Sequence, residues 1–207
     1  MDSEVILVGG FHEIIELCES TGKHIIGIID GRLKGNFMNY PILGEDKDAV
    51  ELFEKFKNIP LIITPDSPQV RCQLFEYYAS IGFSFTSVIS PLAHISAHAV
   101  LGKGIVIQAG VSVSSFACIG DFVKLNVNSN VMHDSIVGNF STVAPEAVVL
   151  GRVQIGKGVY IGANATVLPE LQIIDHITIG AGAVVTHSLL ENGKVYAGVP
   201  ARILEKR

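Results

Sequence analysis

Charge is scarce in this chain. Only 17% of its 207 residues are Asp, Glu, Lys or Arg, the net charge is −5, and no Lys/Arg-rich run occurs. That argues against nucleic acid or an anionic membrane surface as the main partner. Cysteine is scarce too. Cys18, Cys72 and Cys118 are scattered and odd in number, so they read as buried thiols of a reducing compartment and not as a disulfide framework. No apolar stretch approaches the roughly 20 residues that span a bilayer. The apolar run in the opening MDSEVILVGGFHE is short, follows no basic segment and ends at Gly-Gly. It reads as a first strand and not as a signal peptide. The expectation is a soluble cytoplasmic protein. What the chain has in quantity is apolar side chain, 48% of the whole, enough to bury a sizeable core.

The first ~90 residues alternate strand and helix signals. Val5–Val8, His24–Ile29, Leu61–Ile63 and Phe83–Ile89 are short aliphatic runs that predict four strands. Glu13–Glu19, Asp46–Lys57 and Gln69–Ser80 carry helical spacing. Such alternation means βαβ units and a parallel sheet, with ligands at the loops after the strands. Those loops are Gly9–His12, Asp30–Arg32 and Thr64–Asp66. Gly9-Gly10 is an incomplete dinucleotide cue, and Phe11 would crowd a pyrophosphate. Asp30 fits a ribose- or base-binding acid and equally a capped loop carboxylate.

From Ile95 the rule changes. Stepping by six from Ile95 to Val185 gives sixteen positions, all Ile, Leu or Val, without an insertion. Two residues before each lies a second small or aliphatic position, Ser129, Ser135 and Ser141 among them. Gly102, Gly120, Gly138 and Gly156 are spaced by eighteen. A fixed step places the same environment at the same offset in every turn. Three hexads per coil then stack these glycines on one edge of a triangular prism, about 4.8 Å apart. The spacing predicts a parallel β-helix whose corners use Gly and Asn for unusual backbone angles.

A β-helix core holds no reactive group, so chemistry must lie outside it. The segment Asn126–Asp134 (NVNSNVMHD) stands out. His133 follows inward Val131 by two and should project from a corner, with Asp134 beside it. An imidazole next to a carboxylate suits a general base; an exposed histidine in a polar turn fits the same spacing. His94, His98, His176 and His187 have no Cys or acidic partners at metal spacing. The β-helical carbonic anhydrases place two zinc histidines five apart, and five after His133 is Gly138, so no metal is expected.

Three segments carry a resemblance: Val131–Phe140 (VMHDSIVGNF), Ile161–Pro169 (IGANATVLP) and Ala197–Arg202 (AGVPAR). With them the whole chain resembles the nucleotide-sugar acetyltransferases. These include the UDP-4-amino-sugar N-acetyltransferases of bacillosamine synthesis, the perosamine and viosamine N-acetyltransferases and the proteins called sialic acid O-acetyltransferases. The resemblance implies an α/β N-terminal Rossmann-like domain (residues 1–90). It also implies an all-β C-terminal left-handed parallel β-helix (residues 91–207). It implies transfer of acetyl from acetyl-CoA to the amine of a nucleotide-linked 4-amino-4,6-dideoxy sugar, in a homotrimer that binds coenzyme A between two prisms. His133 falls on the base, Asp134 on the acid that orients it, and Asn126 on a polar residue of the same pocket. Gly151 would offer its N–H to the thioester carbonyl. Ala163 and Ala181 would carry the pantetheine arm, and Thr142 stands where some relatives place a coenzyme A-binding histidine. Gly9, Gly10, Phe11, His12, Asp30, Gly31, Arg32, Thr64 and Asp66 fall on the loops that hold the nucleotide sugar.

Some positions depart from the family. Phe11 replaces a glycine before His12, and Glu146 follows Ala144-Pro145 where a glycine is usual. No Ser or Cys adjoins His133 as an acyl carrier, so direct attack is expected. O-acetylation on the same scaffold, and a β-helix that binds without catalysis, remain open on sequence alone.

Overall fold

The computed structural model of the chain describes residues 4–205. Strand β1 (Glu4–Val8) alternates its aliphatics. Val5 and Leu7 pack with Ile14, Ile15 and Leu17 of α1 (His12–Ser20). Ile6 and Val8 pack with Ala49 and Leu52 of α2 (Ala49–Phe56) and with Tyr78 of α3 (Pro68–Ile81). The period of two therefore feeds both faces of one sheet. β1 lies parallel between β2 (His24–Ile29) and β5 (Leu61–Ile63). Beyond β2 comes a hairpin the periodicity did not announce, β3 (Asn36–Phe37) and β4 (Tyr40–Gly44), giving the order β3-β4-β2-β1-β5. Its partly exposed residues and Pro41 carry no regular pattern. α3 has both of its ends marked. Ser67 accepts the Val70 N–H, Pro68 fills the first turn, and Gly82 closes the helix at φ +114°.

The expected fourth strand, Phe83–Ile89, does not join this sheet. Phe85 makes one bridge to Leu61, and β6 (Val88–Ile89) pairs instead with Val106–Ile107. The N–H groups of Val88 and Ser90 are satisfied by the carbonyls of Ile105 and Ile107, so this segment starts the coil.

From there to Val184–Val185 every strand is two residues long and pairs in parallel with a strand eighteen residues away, as Asn130–Val131 does with Val148–Val149, and the coil closes on a three-residue strand, Val195–Ala197, antiparallel to Arg202–Ile203. The coil builds three sheets of six, five and eight strands. Every hexad aliphatic from Ile107 to Val185 is buried, forming one continuous core. The glycine stack is sterically required: a Cβ on Gly138 would lie 2.5 Å from the Gly156 carbonyl carbon. The corners differ from expectation. The left-handed backbone is taken by Phe116, Phe122, Asp134, Phe140, Glu146, Arg152, Glu170 and His176 as well as by Gly and Asn. The repeat tolerates this because these corners, Phe116 excepted, hand their N–H to the coil below, as Asp134 does to Ser115 (3.1 Å) and Arg152 to His133 (3.0 Å). One such bond, net about 1 kcal/mol, is of the order of the left-handed strain it offsets.

Residues eighteen apart form three edges. Val127, Pro145, Ala163 and Ala181 make the first, Ser115, His133, Gly151 and Pro169 the second, and Asp121, Asn139, Lys157 and Asp175 the third. The N-terminal domain seals the face between the third and first edges, burying outward Val106, Lys124 and Thr142. Of the cysteines, only Cys18 is buried, and burial pushes its thiol up to about 12 despite Lys23. Cys72 and Cys118 are half-exposed, which corrects the expectation of three buried thiols. No helix among the described residues is long and apolar enough to cross a membrane.

Candidate active site on the His133 edge

Successive side chains of a strand point to opposite faces, which would keep His133 and Asp134 apart. The left-handed turn at Asp134 (φ +57°) folds the carboxylate back, and its Oδ2 lies 2.8 Å from His133 Nδ1. The other ring nitrogen, Nε2, has no hydrogen-bond partner among the described residues, and both side chains are about half exposed. Directly above lies Gly151. A Cβ built on it would sit 2.7 Å from His133 Cε1 and Nε2, so only glycine lets the imidazole cover this turn. The Gly151 carbonyl is tied to the Glu170 N–H (3.0 Å), while its own N–H meets no acceptor among the described residues. A held imidazole with a free nitrogen thus lies beside an amide without an acceptor among the described residues.

A second cluster lies at the domain junction. Lys124, with no exposed side-chain surface, reaches the Thr64 carbonyl (2.8 Å) and Asp66 Oδ1 (2.9 Å). Asn126 Nδ2 donates to the same Asp66 oxygen at 3.0 Å. Burial pushes the Asp66 carboxyl up, but Lys124, Asn126 and Arg71 outweigh it and hold it below the ordinary 3.8. Burial pulls Lys124 below its ordinary value, against the opposing pull of Asp66. Arg71 from α3 spends its whole guanidinium on oxygens: the carbonyls of Phe122, Pro65, Asp66, Phe140 and Ser141, and Thr142 Oγ1. Beside this bracket a cavity of about 580 Å³ opens between α1 and the coil, lined by Glu13, Leu17, Asp66, Gln108, Asn126 and Tyr160. Burial, helped by the Asp66 charge, raises the Tyr160 phenol, so it stays a hydrogen-bond donor.

The structure sorts the sequence-derived residues into groups. His133, Asp134 and Gly151 meet on the second edge. Ala163 and Ala181 stack on the first edge, their N–H groups free of internal bonds among the described residues. Asn126 joins Asp66 in the cavity and does not share a pocket with His133 of the same chain. Asp30 and Gly31 line a separate hollow of about 250 Å³ with Lys34 and Glu45. Both Asp30 oxygens take backbone N–H groups, those of Gly10 (2.9 Å) and Arg32 (2.8 Å), so it acts as the capped loop carboxylate. His12 packs on Phe37 with ring centroids 4.5 Å apart, and Arg32 is exposed.

Several expectations need correcting. Thr142 has no exposed surface; its hydroxyl donates to the Asp66 carbonyl at 2.6 Å and accepts from Arg71, so its side chain cannot touch coenzyme A. Thr64 is also buried, and its hydroxyl holds the carbonyls of Val8 and Gly9. Gly9 needs its missing Cβ for that approach, since a methyl would lie 2.5 Å from Thr64 Oγ1. Gly10 lies against Leu33, whose Cδ1 would stand 2.4 Å from a Cβ at this position. Phe11 packs into the α1 core below Lys124. Sequence reasoning missed Lys124 and Arg71 because a lysine on an outward strand position and an arginine on a helix both read as solvated. It missed Glu13, Gln108 and Tyr160 because nothing local announces a cavity shared between domains. Among the described residues no group of three or more His, Cys, Asp or Glu is placed to hold a metal ion.

No family model and no curated protein sequence matches the chain. Solved structures do. PerB from Caulobacter crescentus, in complex with CoA and GDP-perosamine, is 27% identical over 99% of each chain, with a TM-score of 0.91. A histidine-to-alanine variant of the GDP-perosamine N-acetyltransferase from that organism matches with 27% identity over 100% of this chain and 99% of its own, TM-score 0.92. The acetyltransferase domain of PglB from Neisseria gonorrhoeae, in complex with acetyl coenzyme A, is 26% identical over 99% of this chain and all of its own, TM-score 0.89. The resemblance read from three short motifs thus extends over the full chain, which matches the hexapeptide-repeat nucleotide-sugar N-acetyltransferases from end to end.

Proposed function

We propose that the chain transfers acetyl from acetyl-CoA to the amine of a nucleotide-linked amino sugar. The observation that carries this is the second edge: an imidazole held at Nδ1 by Asp134 and free at Nε2, lying beside the open N–H of Gly151. The amine nitrogen attacks the thioester carbon, and His133 takes the proton. The carbonyl oxygen becomes an oxyanion received by Gly151 N–H. The C–S bond then breaks, and the thiolate of coenzyme A leaves with the proton from His133. No acyl-enzyme forms.

We read the two halves as a Rossmann-like nucleotide-sugar domain and a left-handed β-helix, working as a cytoplasmic homotrimer. One prism splits the residues that must cooperate, with His133 and Gly151 on one edge and Ala163, Ala181 and the Asn126 cavity on another. A second prism brought alongside reunites them, its His133 edge against the first edge of its neighbour. The face between these edges presents Ser112, Asn130, Val148 and Thr166, short side chains without charge that permit close approach. In the cavity, Asp66 and Glu13 would receive the ammonium or hydroxyls of the sugar, with the nucleotide nearer the Asp30–Arg32 hollow. Acetyl-CoA presented with a panel of UDP-, GDP- and dTDP-linked 4-amino sugars should release coenzyme A thiol in step with acetylated product. Thiol release on hydroxyl acceptors alone would overturn the N-acetyl reading.

A further inference from the structure

Two neighbouring edges of the coil are built alike and finish differently. Ser135 and Ser141 hold the same inward position in consecutive hexads, both fully buried. Ser141 Oγ donates to the Gly156 carbonyl (2.8 Å) and accepts the Val159 N–H (3.0 Å). A trans peptide points its C=O and N–H in opposite directions. Holding the Gly156 carbonyl inward therefore turns the Lys157 N–H outward, where Asp175 Oδ1 accepts it at 2.8 Å.

Six residues earlier the same device recurs. Ser135 Oγ donates to the Leu150 carbonyl (2.8 Å) and accepts the Val153 N–H (3.1 Å), so the Gly151 N–H is turned outward on the edge where the His133 ring lies against Gly151. This N–H meets no acceptor among the described residues, because the position that Asp175 holds on the other edge is here Pro169. The same cap recurs on the third edge except at Asn139, where Lys157 stands at that offset and no acceptor takes the N–H among the described residues. Lys103 N–H goes to Asp121 Oδ1 (2.8 Å) and Asp121 N–H to Asn139 Oδ1 (2.9 Å), each acceptor eighteen residues on. A short polar side chain at that offset occupies the amide; a proline leaves it open.

We propose that Ser135 and Pro169 are positioning residues for acetyl transfer. Ser135 fixes the peptide plane that aims Gly151 N–H, and Pro169 keeps that N–H unoccupied until the thioester oxygen reaches it. The inference rests on the second edge being the transfer site.

The test pairs amide exchange at Gly151, followed by NMR without any substrate, with kinetics on acetyl-CoA and the best amino-sugar acceptor of the panel. Pro169→Asn supplies a neutral acceptor at the capping offset. It should slow Gly151 exchange and lower kcat about 100-fold, the loss typical of removing one oxyanion donor, with KM for acetyl-CoA nearly unchanged. Pro169→Ala brings no acceptor, so its kcat should exceed that of Pro169→Asn at least about tenfold. Ser135→Ala should lower kcat about tenfold through a misaimed donor, and Ser135→Thr should recover most of it. Ser141→Ala loses the matching bridge on the capped edge and should keep its kcat. Slowed exchange in Pro169→Asn with an undiminished kcat would overturn the inference, as would equal losses in Ser135→Ala and Ser141→Ala. A fully active His133→Ala would instead sink the reading of the edge itself.

Discussion

At the scale of single residues, the proposed chemistry depends on what one glycine leaves out. His133 and Asp134 are adjacent in sequence, and their pairing needed only the corner geometry to be read. Gly151 is different: its value lies in the space its absent Cβ gives to an imidazole eighteen residues away. Gly151→Ala keeps an ordinary backbone angle but places a methyl where the ring lies, so the flexible imidazole must shift. The expected result is a kcat lower by about 100-fold, the loss a displacement of about 1 Å can cause, with the melting temperature lowered by only a few degrees. Steady-state kinetics beside a thermal melt check it, and a variant at full rate would show that the ring position is unimportant.

At the scale of elements, the sequence was most legible where a period repeats. The hexad predicted which aliphatics stack, and the glycine spacing predicted an edge. It did not reveal Phe, Asp, Glu and Arg at left-handed corners, because there the backbone is held by a bond to the coil below and not by the residue's own preference. Nor did it reveal how the domains are joined. Phe83–Ile89 reads as a strand by composition, yet its last two residues belong to the first rung of the coil. Arg71 on α3 fastens the Pro65–Asp66 loop to the corners at Phe122 and Phe140, across 51 and 69 residues of sequence. Burial pulls its guanidinium down to about 10 in spite of Asp66, so it remains charged at neutral pH. Arg71→Met would leave several carbonyls in the junction without donors. It should cost about 3–5 kcal/mol, lowering the melting temperature by roughly 10 °C. A loss below one degree in calorimetry would mean that the junction is held by the Phe75, Phe85, Phe122 and Phe140 cluster alone.

At the scale of the whole molecule, a single prism keeps its base and its acceptor cavity apart. The structure brings the sequence-derived His133, Asp134 and Gly151 together on one edge, but the sequence reading merged positions from two edges into one pocket, since periodicity reports the offset within a coil and not which copy supplies it. The proposed trimer would resolve this by pairing unlike edges of adjacent copies. Light scattering should therefore give three times the chain mass; a monomer with full activity would contradict the shared site. The central claim is that His133 takes the proton from a sugar amine as acetyl leaves coenzyme A. It is tested most directly by the rate of thiol release from acetyl-CoA with the best amino-sugar acceptor, compared between wild type and His133→Ala. The predicted result is a fall in kcat of about 10²–10⁴-fold in a variant that melts like the wild type; an undiminished rate would contradict the account.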